Sequence, residues 1–182
     1  MTHCLGRRPF LATVGTLGLS SIAGCLGDNA GGTGTLGDPA TAAAVDVVFR
    51  PIPGFEPGVV HVEPGSNVEW HVVSSNRHTV TAYHPETYGS KRIPTDAAPW
   101  HSGWLREGDV FDRTFELEGI YDYVDTRTVC ASHEAIGLVG RVVVGWPDVH
   151  AELADRHATD DLPGRAATVM REYDEACREV LG

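Results

Sequence analysis

The 182-residue sequence predicts an all-β Greek-key sandwich followed by a C-terminal α-helix. Three observations carry this reading. Between Val45 and Gly145 the chain runs through short apolar, β-branched segments separated by turns rich in Gly, Pro, Asn and Ser. That stretch, roughly 100 residues, is long enough to bury one sandwich-sized core. Residues 165–181 differ, with Val169, Met170, Tyr173, Ala176, Cys177 and Val180 at helical spacing.

Val45-Asp46-Val47-Val48-Phe49 alternates as a strand, and Pro51-Ile52-Pro53-Gly54 breaks it. Gly58–Val62 and Asn67–Val73 read as a strand pair joined by the turn Glu63-Pro64-Gly65-Ser66, with Val68, Trp70 and Val72 on one face. His78–Tyr83 is a further short strand, and residues 84–108 form a long Pro-rich excursion. Asp109–Leu117 and Ile120–Val124 read as a hairpin around Glu118-Gly119, and Val139–Val144 closes the set. Leu162-Pro163-Gly164 introduces the final helix, which is expected to dock on the sandwich. Met170 lies on its apolar stripe and reads as core packing.

The N-terminus reads as an export segment. Arg7-Arg8-Pro9-Phe10-Leu11 is followed by an apolar run ending in Ile22-Ala23-Gly24-Cys25, the pattern of a twin-arginine signal joined to a lipoprotein cleavage site. The run, Leu11 to Ala23, is about 13 residues, whereas about 20 are needed to span a bilayer. The expected organisation is therefore a signal over 1–24, lipidation of Cys25, a flexible tether over 25–44, the folded domain over 45–145 and a helical tail over 146–182. This places the protein on the outer, extracytoplasmic face of the membrane.

The net charge is −11. Residues 1–24 hold Arg7 and Arg8 and no acid, so their removal takes it to −13, with Lys91 the single lysine beside 13 Arg in the full chain. Such a surface disfavours nucleic acid and anionic lipid as partners. It suits molar salt, where the Debye length falls to about 3 Å and self-repulsion is screened. Of four Cys, Cys4 leaves with the signal and Cys25 takes the lipid, so Cys130 and Cys177 remain. A disulfide between them is the ordinary outcome for an exported protein, but Cys130 has a better set of partners.

Those partners are the chemistry-bearing residues. Cys130 and His133 lie three residues apart on a loop that runs into the strand Val139–Val144, and His78 lies 52 residues before the Cys in Asn76-Arg77-His78-Thr79-Val80. One Cys and two His are the donor set of a trigonal copper centre. Cys-x-x-His spacing also serves zinc and redox sites. Leu138 stands where an axial Met would fall, five residues after His133. His61 and His71 read as surface or rim residues and His150 and His157 as solvated, while His84 and His101 lie in the long excursion near Trp100 and Trp104, where a second metal site is the alternative to a surface role. No paired acids suggest hydrolysis and no Gly-rich loop suggests phosphate binding.

Over roughly residues 45–145 the chain resembles the small blue-copper proteins, the plastocyanin-like cupredoxins, and most closely the halocyanins of haloarchaea. The resemblance rests on Val62-Glu63-Pro64-Gly65, His78-Thr79-Val80, Gly119-Ile120-Tyr121-Asp122-Tyr123, Cys130-x-x-His133-Glu134, Gly137-x-Val139-Gly140 and Val142-Val143-Val144. It implies a type 1 copper held by His78, Cys130 and His133, with Leu138 in the axial position and the Arg77 carbonyl on the opposite side. It further implies a carrier of single electrons between membrane redox proteins, with no small-molecule substrate and no turnover chemistry. In that reading the electron passes through the solvent-facing edge of His133, framed by Ala131, Ile136 and Leu138. The alternative is a cupredoxin-fold protein that holds or delivers copper, or has lost it. One departure is marked: the family places its Cys one residue after the Tyr-x-Tyr-x run, and here Asp125-Thr126-Arg127-Thr128-Val129 intervenes.

Overall fold

The computed structural model describes residues 34–128, 132–154, 156 and 158–182. The signal over 1–24, Cys25, the tether as far as residue 33, Cys130, Ala131 and His157 lie outside the described residues.

Among the described residues seven strands form one sheet: six follow the hydrogen-bonded order β2-β1-β3-β7-β6-β4, and β5 pairs with β3 off that path. They are β1 (Ala40–Val48), β2 (Gly54–Glu56), β3 (Val59–Val72), β4 (Thr81–Ala82), β5 (Val110–Phe115), β6 (Gly119–Val124) and β7 (Val139–Val144). The α-helices among the described residues are α1 (Val149–Ala154) and α2 (Arg165–Leu181), with a 3-10 turn at Thr159–Asp161 between them. The sandwich closes because β3 serves two neighbourhoods. Val59–Val62 pairs parallel with β7, while Ser66–His71 pairs antiparallel with β5. Side chains from both halves meet in one core, where Trp70 lies 5.2 Å from Tyr123 and Phe115 lies 5.0 Å from Tyr121, ring centre to ring centre.

Several local expectations are corrected. Glu63-Pro64-Gly65-Ser66 is a bend within one long strand and joins no hairpin, because its two flanks pair with different partners. Likewise β5 and β6 do not pair with each other: β5 goes to β3 and β6 goes to β7 and β4. Residues 40–44, assigned to the tether, are the first half of β1, paired parallel to β3 through Ala42–Asn67, Ala43–Val68 and Ala44–Glu69. Alanine has low strand propensity, but a partner strand overrides propensity where the side chain packs, and Ala40 and Ala43 are buried. The break after β1 contains the short strand β2. The strand expected from His78 to Tyr83 shrinks to β4, with His78 held in an isolated bridge to Leu105.

The tail packs on the outer face of β6 and β7, so both strands are buried on both sides. Odd residues Tyr121 and Tyr123 face the core, while Ile120 and Val124 meet residues of the helices. Met170 is buried with Tyr83, Val124 and Val139, as core packing requires. Cys177 is a free, buried thiol and accepts from Arg141 Nη1 at 3.5 Å.

Asp122, on the helix side of β6, is fully buried among three guanidinium groups. Arg141 donates to both its oxygens at 2.7 and 3.2 Å, Arg92 at 3.0 Å and Arg156 at 2.7 Å. Arg141 also donates to Asp174 of α2 at 2.6 Å, which ties the sheet to the tail. Burial alone would raise the Asp122 pKa; the charges of Arg141, Arg156 and Arg92 outweigh it and hold the carboxyl far below its usual range.

His61 corrects a further expectation, since it is fully buried and not a rim residue. Its Nδ1 accepts from the Gly37 N–H at 3.0 Å and its Nε2 donates to the Gly145 carbonyl at 2.6 Å, tying the segment before β1 to the end of β7.

Candidate metal centre

His78 and His133 are brought side by side at one end of the sandwich, their ring centres 5.3 Å apart. The His78 backbone exchanges two hydrogen bonds with Leu105, each 2.9 Å. His133 sits in the turn after residue 132. Its N–H donates to the Arg127 carbonyl at 2.9 Å and its carbonyl accepts from Leu138 N–H at 3.0 Å. Gly137 provides the positive φ of 100° at which this turn reverses toward β7. Glu134, next to His133, is clamped by the hydroxyls of Tyr83 and Tyr88, each donating at 2.7 Å. Burial and the neighbouring carboxylate push the Tyr88 phenol up to about 12.

Between the imidazoles stands Asp125, the first residue of the segment 125–129 that interrupts the family spacing. Asp125 follows β6 directly and continues the inward-facing series Tyr121, Tyr123. Its Oδ2 lies 2.6 Å from His78 Nδ1 and 2.7 Å from His133 Nδ1. Its Oδ1 is held by the backbone N–H groups of Thr79 at 3.1 Å and Arg127 at 3.0 Å, and by the Thr79 hydroxyl at 3.4 Å. One oxygen is thus fixed by the scaffold and the other faces the two rings. Burial acts to raise the Asp125 pKa, and the hydrogen bonds from His133 and His78 reverse the sign, so the group lies below its ordinary value.

The far side of His78 is also specified. Its Nε2 lies 2.8 Å from Ser74 Oγ, and the Ser74 hydroxyl donates to the Val47 carbonyl at 3.2 Å. A serine whose proton is committed to Val47 offers a lone pair to an Nε2–H, which in the neutral ring leaves Nδ1 with the lone pair that a metal ion would take. The Phe49 ring lies over the pair, 6.1 Å from His78 and 5.2 Å from His133.

His78, Asp125 and His133 are all buried, and one donor atom from each lies within 4.8 Å of the others. Donors bonded to one ion at about 2 Å lie no more than about 4 Å apart, so a small adjustment suffices. Two imidazoles of this placement fit copper. The expected thiolate donor, Cys130, lies outside the described residues.

Other expected features are placed differently. The solvent-facing edge of His133 is replaced by a residue only 4% exposed, lying close under Phe49. Leu138 is fully buried in the main core and brings no donor atom; its backbone bonds both His133 and Asp125. The Arg77 carbonyl accepts from the Arg127 guanidinium at 3.1 Å. His71 pairs with Glu69 at 3.0 Å, and His101 and His150 are exposed, in keeping with surface roles. His84 is half-buried.

No protein-family model and no curated protein sequence matches the chain. Solved structures do. The pseudoazurin of Sinorhizobium meliloti matches with a TM-score of 0.57 at 17% identity, covering 76% of this chain and 98% of its own. That of Methylobacterium extorquens matches at 0.54 and 21%, with the same coverage. That of Hyphomicrobium denitrificans matches at 0.55 and 22%, covering 74% and 96%. Likeness at this level of identity concerns architecture, and it establishes that the chain has the cupredoxin fold.

Proposed function

We propose that the protein is a membrane-anchored copper protein that carries single electrons between redox partners on the outer face of the cell membrane. The observation that carries this reading is the convergence of the His78 and His133 Nδ1 atoms on one buried point at the end of a cupredoxin sandwich. Copper bound there supplies a one-electron couple. The chain's own contribution is to hold both imidazoles still: His78 through Leu105 and Ser74, and His133 through Arg127, Leu138 and the tyrosine-clamped Glu134. A framework so tied favours little rearrangement between two oxidation states. One surface cleft among the described residues is lined by Lys91, Pro94, Glu118, Asp148 and Arg156, and another by Thr159, Asp160, Arg171, Asp174 and Arg178, so the imidazoles line neither.

The export pattern and Cys25 support the membrane location, and the acidic, lysine-poor composition supports work in high salt. A second reading, copper holding or delivery without electron transfer, is favoured by the Asp125 carboxylate, an oxygen donor that suits Cu(II) better than Cu(I).

Voltammetry of the copper-loaded full chain tests the carrier reading. A reversible one-electron wave that disappears in His78→Ala and His133→Ala is expected. Tight copper binding with no reversible wave would favour holding or delivery. Cys25→Ser is expected to move the protein from the membrane fraction into the medium, and its persistence in the membrane would overturn the anchor.

A further inference from the structure

We infer that Asp125 is itself a metal ligand, so that the centre is a carboxylate–bis-imidazole site, with two nitrogens and one oxygen, in place of the thiolate site expected from Cys130. The inference rests on the reading of this site as copper-binding and deepens it.

Four observations converge. The place between the two Nδ1 atoms is filled by Asp125 Oδ2, at 2.6 and 2.7 Å. The same carboxylate is prevented from rotating away, since Oδ1 is bound by Thr79 and Arg127. Thr79 is in turn fixed, its Oγ1 accepting from Thr126 N–H at 2.8 Å. All three donors are buried, with side-chain exposures of 0% for His78, 0% for Asp125 and 5% for His133. A buried carboxylate against two imidazoles needs positive charge between them, supplied by protons or by a cation. The Ser74–Val47 arrangement already engages the Nε2 side of His78 and directs Nδ1 inward. A divalent ion seated among the three donors meets each of these demands with one group.

The chemical class of the ion follows from the donors. Two imidazoles and a carboxylate suit first-row divalent ions, and among these Cu(II) binds most tightly in a given N/O site. Leu138 contributes a hydrocarbon side chain and no fourth donor. Such a centre lacks the thiolate-to-copper charge transfer that makes type 1 copper intensely coloured.

The test is a visible spectrum and an electron paramagnetic resonance spectrum of the full chain titrated with Cu(II) alone. One equivalent is expected to bind with weak ligand-field absorption and no intense band near 600 nm. Cys130→Ser is expected to keep both copper and spectrum. Asp125→Asn, which preserves shape and removes the charge, is expected to weaken copper binding by at least tenfold. Asp125→Cys is expected to create an intense visible band. Circular dichroism establishes that each variant is folded, and the wild-type spectrum is decisive without any variant. An intense band in the wild type that vanishes in Cys130→Ser would overturn the inference and leave the copper-carrier reading standing. Unchanged affinity in a folded Asp125→Asn would likewise overturn it alone. Failure of the wild type to bind copper would overturn both.

Discussion

Strand β6 and the residue just beyond it carry two buried aspartates, Asp122 and Asp125, and these face opposite sides of the sheet. Asp122 points toward the helical tail and is surrounded by Arg92, Arg141 and Arg156. Asp125 points into the end of the sandwich and meets His78 and His133. Guanidinium groups keep their protons at any ordinary pH and cannot ligate a metal, so Asp122 is closed and structural. Imidazole nitrogens can exchange a proton for a metal ion, so Asp125 is built to accept one. The same buried carboxylate thus holds a domain together at one position and offers a donor at the other. The identity of the cation decides which.

Breaking the closed centre should cost most. Arg141→Ala leaves Asp122 and Asp174 without a partner that donates to both, and removing one side of a buried ion pair costs about 3–5 kcal/mol. Chemical denaturation should report that loss, with the tail released from the sheet before the sandwich unfolds.

Acid should act next. Both carboxyls lie below their ordinary values in the folded chain. A depressed carboxyl contributes stability that is present above its unfolded pKa, about 3.9, and is lost as pH falls through the folded value. Thermal stability should therefore be flat near neutrality and decline steadily below about pH 4. In Asp122→Asn that acid slope should be shallower, whereas an unchanged slope would mean that the arginine cluster contributes nothing through Asp122.

At the open centre, Ser74→Ala removes the group that receives the His78 Nε2 side. Loss of such an outer partner of a metal-bound histidine typically weakens affinity by about 10–100-fold, so calorimetric copper titration should fall in that range with the fold intact. The smallest effect is expected for Leu138→Met. The swap conserves volume and should cost less than about 1.5 kcal/mol. A thioether reaching the copper would lower the reduction potential, while an unchanged potential would mean that residue 138 serves packing alone.

Much of this was legible in the chain. The apolar, β-branched run Val139–Val144 and the helical stripe of 165–181 fall at the observed boundaries, because each is specified by its own periodicity. The hairpins were not legible. Pro64-Gly65 and Glu118-Gly119 carry turn residues, but which strand a segment pairs with depends on the whole sheet, and β3 and β5 find distant partners. The burial of Ala40, Ala43 and His61 is not legible for the same reason, since it comes from residues remote in sequence. His78 and His133 were identifiable from residue type and spacing. Asp125 was visible only as an interruption, although one signal was present: Tyr121, Tyr123 and Asp125 keep a period of two, which carries the core-facing side of the strand straight to the carboxylate.

The position of the bound ion separates a carboxylate centre from a thiolate one most directly. Anomalous diffraction at the copper edge, from crystals of the copper-loaded full chain, reads that position without relying on colour. The prediction is a single strong peak bounded by His78 Nδ1, His133 Nδ1 and Asp125 Oδ2. A peak bonded to the Cys130 sulfur with Asp125 turned away, or one remote from both imidazoles, would contradict it.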